Sequence, residues 1–353
     1  MDRASLFSGT KDVDLKLLLD HDSLEKYLRN LLGNDTNLLD IKQFKGGQSN
    51  PTYLVQTNLK SFVLRRKPPG KLLASAHAVD REYKVISALN KTDVPVPKTY
   101  DFCEDVNVAG TPFFLMDHVE GNIFWDLLLT KCSAEERSKI YWSMNDTIAK
   151  LHNTDFKSIG LGDYGKYENY MARQIARWSK QYKDSETTLI PEMDSLIQWL
   201  PENIPSGEET SIVHGDFRLD NMVFDKNTNE VIAILDWELS TLGHPIADFT
   251  YHMMMWKMPL AVQGIGILGA NLKELNIPNE DEYAEAYYRK TNRNEIQNWN
   301  FFLAYNMFRL AGITQGIAGR VRDGTASSDQ AKQYGAFVPV LAKMAWLTVQ
   351  AIK

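Results

Sequence analysis

Cysteine is almost absent from this chain of 353 residues. Cys103 and Cys132 are the two it has. They can build neither a disulfide framework nor a cysteine zinc site, and reduced, half-buried thiols are the expectation. Long apolar runs are missing too, so no segment reaches the roughly 20 apolar residues a membrane helix needs. Residues 1–7, Met-Asp-Arg-Ala-Ser-Leu-Phe, lack the apolar stretch of a signal peptide. The final residues, Gln350 to Lys353, do not form a peroxisomal tripeptide. These absences make the cytoplasm the expected compartment. Positive charge is in deficit: 39 Lys and Arg stand against 45 Asp and Glu, a net charge of -6. That balance argues against a nucleic-acid partner held by phosphate contacts, though local basic sites for a phosphorylated ligand remain open. No repeat or low-complexity segment is visible.

The length exceeds what one simple core accommodates, so two lobes are expected. Leu17, Leu24, Leu28 and Leu31 recur at helical spacing before Gly33. Residues 41–56 read as strand, Gly-rich turn, strand. Residues 61–65 follow as another strand after the turn at 57–60. Beyond the break at Pro68-Pro69-Gly70, the pattern predicts a helix over 79–89. Pro95 and Pro97 frame what reads as an exposed loop, and residues 113–116 form a short buried-type strand. Residues 135–151 carry Ile140, Met144, Ile148 and Leu151 on one helical stripe. Two short strands are expected near 221–224 and 231–235. The chain from Pro245 onward reads as helices. The resulting expectation is an α+β, protein-kinase-like, two-lobed fold. A small β-rich N-terminal lobe would span 1–117 and a larger helical lobe 118–353, with a nucleotide between them.

The chemistry-bearing stretch is residues 214–221, His-Gly-Asp-Phe-Arg-Leu-Asp-Asn, followed fifteen residues later by Asp236. This is the H-x-D-x-x-x-x-N spacing of a kinase catalytic loop with a second acid downstream. Phosphoryl transfer needs a carboxylate facing the acceptor hydroxyl, and Asp216 is that candidate base. It also needs oxygen ligands for Mg2+ on the nucleotide phosphates, and Asn221 and Asp236 are those candidates. An isolated Asp would more often cap a turn, but His214, Asp216, Asn221 and Asp236 occur together and in order. Asp220 reads as a structural hydrogen-bond partner and His214 as a buried scaffold histidine. Trp237 stands where protein kinases have Phe, which suggests a less mobile metal loop.

Gly46, Gly47, Gln48, Ser49 and Asn50 sit at the predicted strand–turn–strand, where a backbone can approach phosphates. Alone, that motif is weak. Arg65 ends the next strand and is the expected phosphate-holding cation, with Glu82 on the following helix as its acid and Lys67 as second choice. Kinases use Lys here, and Arg is not an equivalent replacement. A solvated basic run at 65–67 is the plain alternative. Met116, Asp117 and His118 would face the adenine through backbone groups. Asp248 is expected to anchor the catalytic loop, and His244 to be structural, with contact to substrate as its alternative. Arg309, Arg320 and Arg322 could bind an anion, although a solvated helix face is the commoner explanation. Gly264, Gly266 and Gly269 match a dinucleotide fingerprint, but no strand precedes them and no βαβ unit surrounds them, so a Gly-bearing loop or helix contact is expected.

These motifs resemble the aminoglycoside-phosphotransferase-like kinases. Residues 46–53, 63–70, 75–83, 173–178 and 235–245 are similar to the kinase domain fused to acyl-CoA dehydrogenase family members 10 and 11. The resemblance covers residue 40 to the C-terminus. It implies ATP-dependent, Mg2+-supported phosphorylation of a small-molecule hydroxyl. For the dehydrogenase-linked branch it implies 4-hydroxyacyl-CoA as acceptor, and functional association with an acyl-CoA dehydrogenase. The dehydrogenase part is not in this sequence, so a stand-alone version or an excised domain is expected, and the substrate could have diverged. The alternative within the same chemistry is a kinase for an aminoglycoside, choline or another amino alcohol. Two further readings are weaker. An inactive nucleotide-binding protein would have lost a base or metal residue, and a metal-dependent hydrolase would not need Arg65 and Glu82.

Overall fold

The computed structural model describes residues 8–46, 50–70, 78–260, 266–293, 298–324 and 335–352. The chain forms two compact units. The first comprises Met1–Tyr164, Arg218–Ser240 and Leu272–Pro278; the second comprises Gly165–Phe217, Thr241–Asn271 and Asn279–Lys353.

The first unit is built on an antiparallel sheet of β1 (Thr10–Lys11), β2 (Leu38–Phe44), β3 (Thr52–Thr57), β4 (Ser61–Arg66), β5 (Thr99–Cys103) and β6 (Phe113–Asp117), in the order β1-β2-β3-β4-β6-β5. One face carries Tyr53, Val55, Phe62, Leu64, Phe113 and Leu115 onto Leu24 and Leu28. The two leucines belong to helix α1 (His21–Leu32), which starts where Asp20 accepts from Ser23 N and ends at Gly33, φ +122°. Side chains alternate across a strand, so Val63 and Arg65 take the opposite face. Against that face lies α2 (Val79–Leu89), where Tyr83 stacks on Phe102 at 5.6 Å. Leu64 pairs in register with Tyr53 and Leu115, and Arg65 with Thr52 and Phe114.

The helix expected over 79–89 has those bounds, and the strand at 113–116 extends to Asp117. Pro97 departs from expectation: it is buried rather than part of an exposed loop, and its carbonyl accepts from Asn90 Nδ2 at 2.9 Å. Proline breaks secondary structure, yet its ring is apolar and packs well. Helix α3 (Ala134–Asn153) opens with a reciprocal Ser133/Glu136 cap. Met222–Phe224 and Val231–Ile234 form an antiparallel ribbon as expected.

The second unit is mainly helical. It holds α4 (Tyr170–Ser185), α5 (Pro191–Glu202), α6 (Pro245–Met253), α7 (Glu280–Lys290), α8 (Trp299–Arg322) and α9 (Val338–Gln350). A short ribbon pairs Ser211–Val213 with Thr241–Gly243. It leads the chain into residues 214–217 on one side and into α6 on the other. Asn306 of α8 fixes α6 by donating to Ala247 O at 2.8 Å and Thr250 Oγ1 at 2.9 Å.

Candidate active site

Arg65 occupies the middle of a charged cluster in the first unit. It is 8% exposed, yet three acids surround it. Its Nε lies 2.9 Å from Glu82 Oε2, and its Nη2 lies 2.9 Å from Asp236 Oδ1 and 3.7 Å from Glu238 Oε2. The Nε contact is an ion pair by distance rather than an aligned hydrogen bond. Arg65 Nη1 also reaches Thr52 Oγ1 at 3.3 Å. Strand parity separates the neighbouring cations. Arg66 points the other way, over the Tyr53 ring and onto Leu17 O at 2.8 Å. Lys67 pairs with Asp80 at 3.2 Å.

Glu82 is 2% exposed and also accepts from Asn50 Nδ2 at 3.0 Å. Burial pushes its carboxyl up to about 7; Arg65 works against that shift, and Asp236 and Glu238 add to it. The guanidinium of Arg65 has its own ionisation raised: burial opposes charge, but the three facing acids outweigh it.

Asp236 follows the strand Val231–Ile234 and adopts a left-handed backbone, φ +63° and ψ +61°. Outside glycine that conformation is uncommon, though Asp tolerates it best. Its side chain is 42% exposed. Trp237 is buried and donates from Nε1 to Ile234 O at 3.0 Å, which pins the residue next to the bend. Asn221 is tied to the same place: its carbonyl accepts from Leu235 N at 2.8 Å. Asp220 pairs with Arg218 at 2.7 Å, the structural role expected of it.

A cavity of about 250 Å³ gathers these groups. Gly46, Thr52, Arg65, Glu82, Asn221 and Asp236 line its polar part. Val63, Ile86, Phe114, Met116 and Val223 give it an apolar part, and Asp117 and His118 stand at its wall. Such a cavity, apolar with a few convergent polar groups, is the usual form of a small-molecule site. The Asp117 carboxylate accepts from Lys60 and from the Tyr100 hydroxyl, so its side chain is committed to the sheet. Burial lowers the His118 ionisation. Gly47, Gln48 and Ser49 lie outside the described residues.

The second unit holds the proposed base. The backbone N–H groups of His214 and Gly215 donate to Asp248 Oδ2 and Oδ1, each at 2.8 Å. Asp248 is therefore the loop anchor that the sequence suggested. Gly215 has φ +83°, and Asp216 N donates to His214 Nδ1 at 3.2 Å. His214 is fully buried, and His244 caps α6 by accepting from Ile246 N at 3.2 Å. Two residues of the loop's surroundings were not singled out by sequence for these contacts. Tyr251 donates to Asp216 Oδ1 at 2.6 Å. Arg309 is 8% exposed, not on a solvated face, and donates to Gly215 O at 2.6 Å. Tyr251 lies three residues beyond Asp248 on α6, one helical turn away on the same face, which is the signal that could have found it. Arg322 bonds to Glu186 O and Asp323, and Arg320 is exposed.

Residues 40–286 match the family described as "Phosphotransferase enzyme family" (APH). Acyl-CoA dehydrogenase family member 10 of Mus musculus is 42% identical over 340 residues, 96% of this chain and 32% of that protein. Acyl-CoA dehydrogenase family member 11 of Homo sapiens is 42% identical over 330 residues, 92% of this chain and 42% of that protein. The chain thus spans less than half the length of these curated relatives. A solved structure from Ralstonia eutropha, named provisionally as an aminoglycoside phosphotransferase, is 47% identical with a TM-score of 0.89, covering 95% of this chain and 100% of that one. An aminoglycoside phosphotransferase solved with AMP-PNP and hygromycin B has a TM-score of 0.61 at 14% identity, covering 93% of this chain and 99% of that one, and shares the α+β kinase-like fold. With the match extending through the sheet, the cavity and the loop at 214–221, this chain belongs to the phosphotransferase enzyme family and is a phosphotransferase.

Proposed function

We propose that the chain transfers the γ-phosphoryl group of ATP to the hydroxyl of a 4-hydroxyacyl-CoA. The observation that carries the nucleotide half is the meeting of Arg65, Glu82, Asn221 and Asp236 around one cavity. Arg65 would hold the phosphates, and Gly46 to Asn50 are the further residues we assign to them. Met116, Asp117 and His118 would offer backbone groups to the base.

The donor set suits Mg2+. Among the described residues no cluster of three His, Cys, Asp or Glu side chains could hold a metal ion. Mg2+ needs no such cage, because it takes one or two protein oxygens and completes its shell with phosphate and water. Asn221 and Asp236 would hold it. When bound, the ion would neutralise charge on the phosphates. The three acids around a single guanidinium leave a local surplus of negative charge that favours a cation there.

Asp216 would orient the acceptor hydroxyl and take its proton. The alcohol oxygen forms a bond to the γ-phosphorus while the bond to the β–γ bridging oxygen breaks. The proton passes to the Asp216 carboxylate and ADP leaves. We take residues 1–117 as the phosphate-clamping part and 118–353 as the part that brings base and acceptor.

The acceptor rests on the names of the relatives, which join this kind of chain to acyl-CoA dehydrogenases. A functional association with such a dehydrogenase follows from the same reading. The second reading is an aminoglycoside, choline or other amino-alcohol acceptor, of which the name of the Ralstonia eutropha structure favours the aminoglycoside. Incubation with Mg-ATP and a panel of hydroxyacyl-CoAs, aminoglycosides and amino alcohols, read by mass spectrometry, separates the two. A phosphorylated hydroxyacyl-CoA is expected; a phosphorylated amino alcohol alone supports the second reading.

A further inference from the structure

A carboxylate base is effective only if one oxygen is aimed at the proton it receives, and the terminal torsion of Asp is soft and roughly two-fold. Asp248 fixes the backbone of residues 214 and 215. Tyr251 reaches the side chain itself: its hydroxyl donates to Asp216 Oδ1 at 2.6 Å. That is the short, charge-assisted class of O–H···O⁻ bond. Tyr251 is itself braced. Its ring faces the Arg309 guanidinium at 4.9 Å, and the same guanidinium donates to Gly215 O. Arg309 also lies over Trp178 at 5.6 Å, and both Tyr251 and Arg309 are buried.

We propose that Tyr251 is a positioning residue for the Asp216 base, with Arg309 locking the tyrosine and the loop backbone into one register. This rests on the reading of Asp216 given above. The phenol does not touch the phosphoryl group or take the proton. It holds one carboxylate oxygen, stops the group rotating, and thereby sets the direction in which the carboxylate faces the acceptor hydroxyl. Packing alone would explain the ring of Tyr251, and the phenylalanine variant separates ring from hydroxyl.

Tyr251→Phe is compared with wild type in two assays. Turnover is measured with Mg-ATP, both as transfer to 4-hydroxyacyl-CoA and as hydrolysis to water. The kcat is expected to fall about tenfold or more, with the KM for ATP unchanged, as for a lost hydrogen bond to a charged group. Thermal melting without ligand is measured for Tyr251→Phe, Asp216→Asn and the double variant. Coupled residues give losses that do not sum. Wild type that hydrolyses Mg-ATP but leaves hydroxyacyl-CoA untouched counts against the acceptor reading alone, and Tyr251 is then scored on hydrolysis. A kcat within twofold of wild type, a KM for ATP that rises in step with the loss, or additive melting shifts would overturn the role of Tyr251.

Discussion

Arg65 Nη2 and Asp236 Oδ1 stand 2.9 Å apart across 171 residues of sequence. The contact ties the fifth residue of β4 to the acid that follows the strand Val231–Ile234. It also makes Arg65 the shared counter-ion of Asp236 and the buried Glu82.

Removing that counter-ion leaves Glu82 buried without its cation. Arg65→Ala is expected to cost about 3–5 kcal/mol of unfolding free energy. Arg65→Lys retains charge but offers a single point where the guanidinium spans two acids. It should lower Mg-ATP affinity about tenfold, the size of one charge-assisted hydrogen bond. Denaturant titration and calorimetry measure the two effects. Unchanged stability in the alanine variant contradicts the role of Arg65 as counter-ion.

Glu82 gives a pH signature. Its folded-state pKa is raised to about 7 from an ordinary 4.5, chiefly by burial. Between those values the folded protein holds a proton that the unfolded chain has released. The contribution to stability is therefore fully present below about 4.5 and is lost as pH rises through about 7. Melting temperatures measured across that window should show a decline in wild type that Glu82→Gln lacks. A decline of equal size in both proteins would assign the effect elsewhere.

Asp248 accepts from the backbone N–H groups of His214 and Gly215, in the loop that carries the proposed base. Asp248→Ala orphans both in a buried setting, and a loss of about 3 kcal/mol or more is expected. Nucleotide binding, which we assign to residues of the other unit, should survive in the folded fraction. Chemical denaturation and nucleotide titration test this; unaltered stability would show that the loop is held by other means.

Much of this arrangement was readable from residue order. The helix over 79–89 has a clear apolar stripe, and its Glu82 falls on the buried face beside the strand that carries Arg65. Parity within that strand then sends Arg65 and Arg66 to opposite faces, as the structure has them. What sequence did not reveal depends on tertiary packing. The ribbon of Ser211–Val213 with Thr241–Gly243 is three residues long on each side, too short for a period to register. Arg309 reads as one more helical cation until Gly215 O and the Tyr251 ring are seen around it. Tyr251 looks like a core aromatic because its hydroxyl partner, Asp216, lies 35 residues earlier.

The most direct measurement follows label from the γ-position of Mg-ATP into 4-hydroxyacyl-CoA, for wild type and for Asp216→Asn, with Mg-ATP affinity measured on both. Wild type should yield labelled phosphoacyl-CoA, and the variant should lose about 10²–10⁴ in rate while binding Mg-ATP as wild type does. A variant that transfers label at the wild-type rate, or that loses nucleotide binding in the same proportion as turnover, would contradict the assignment of Asp216 as the base.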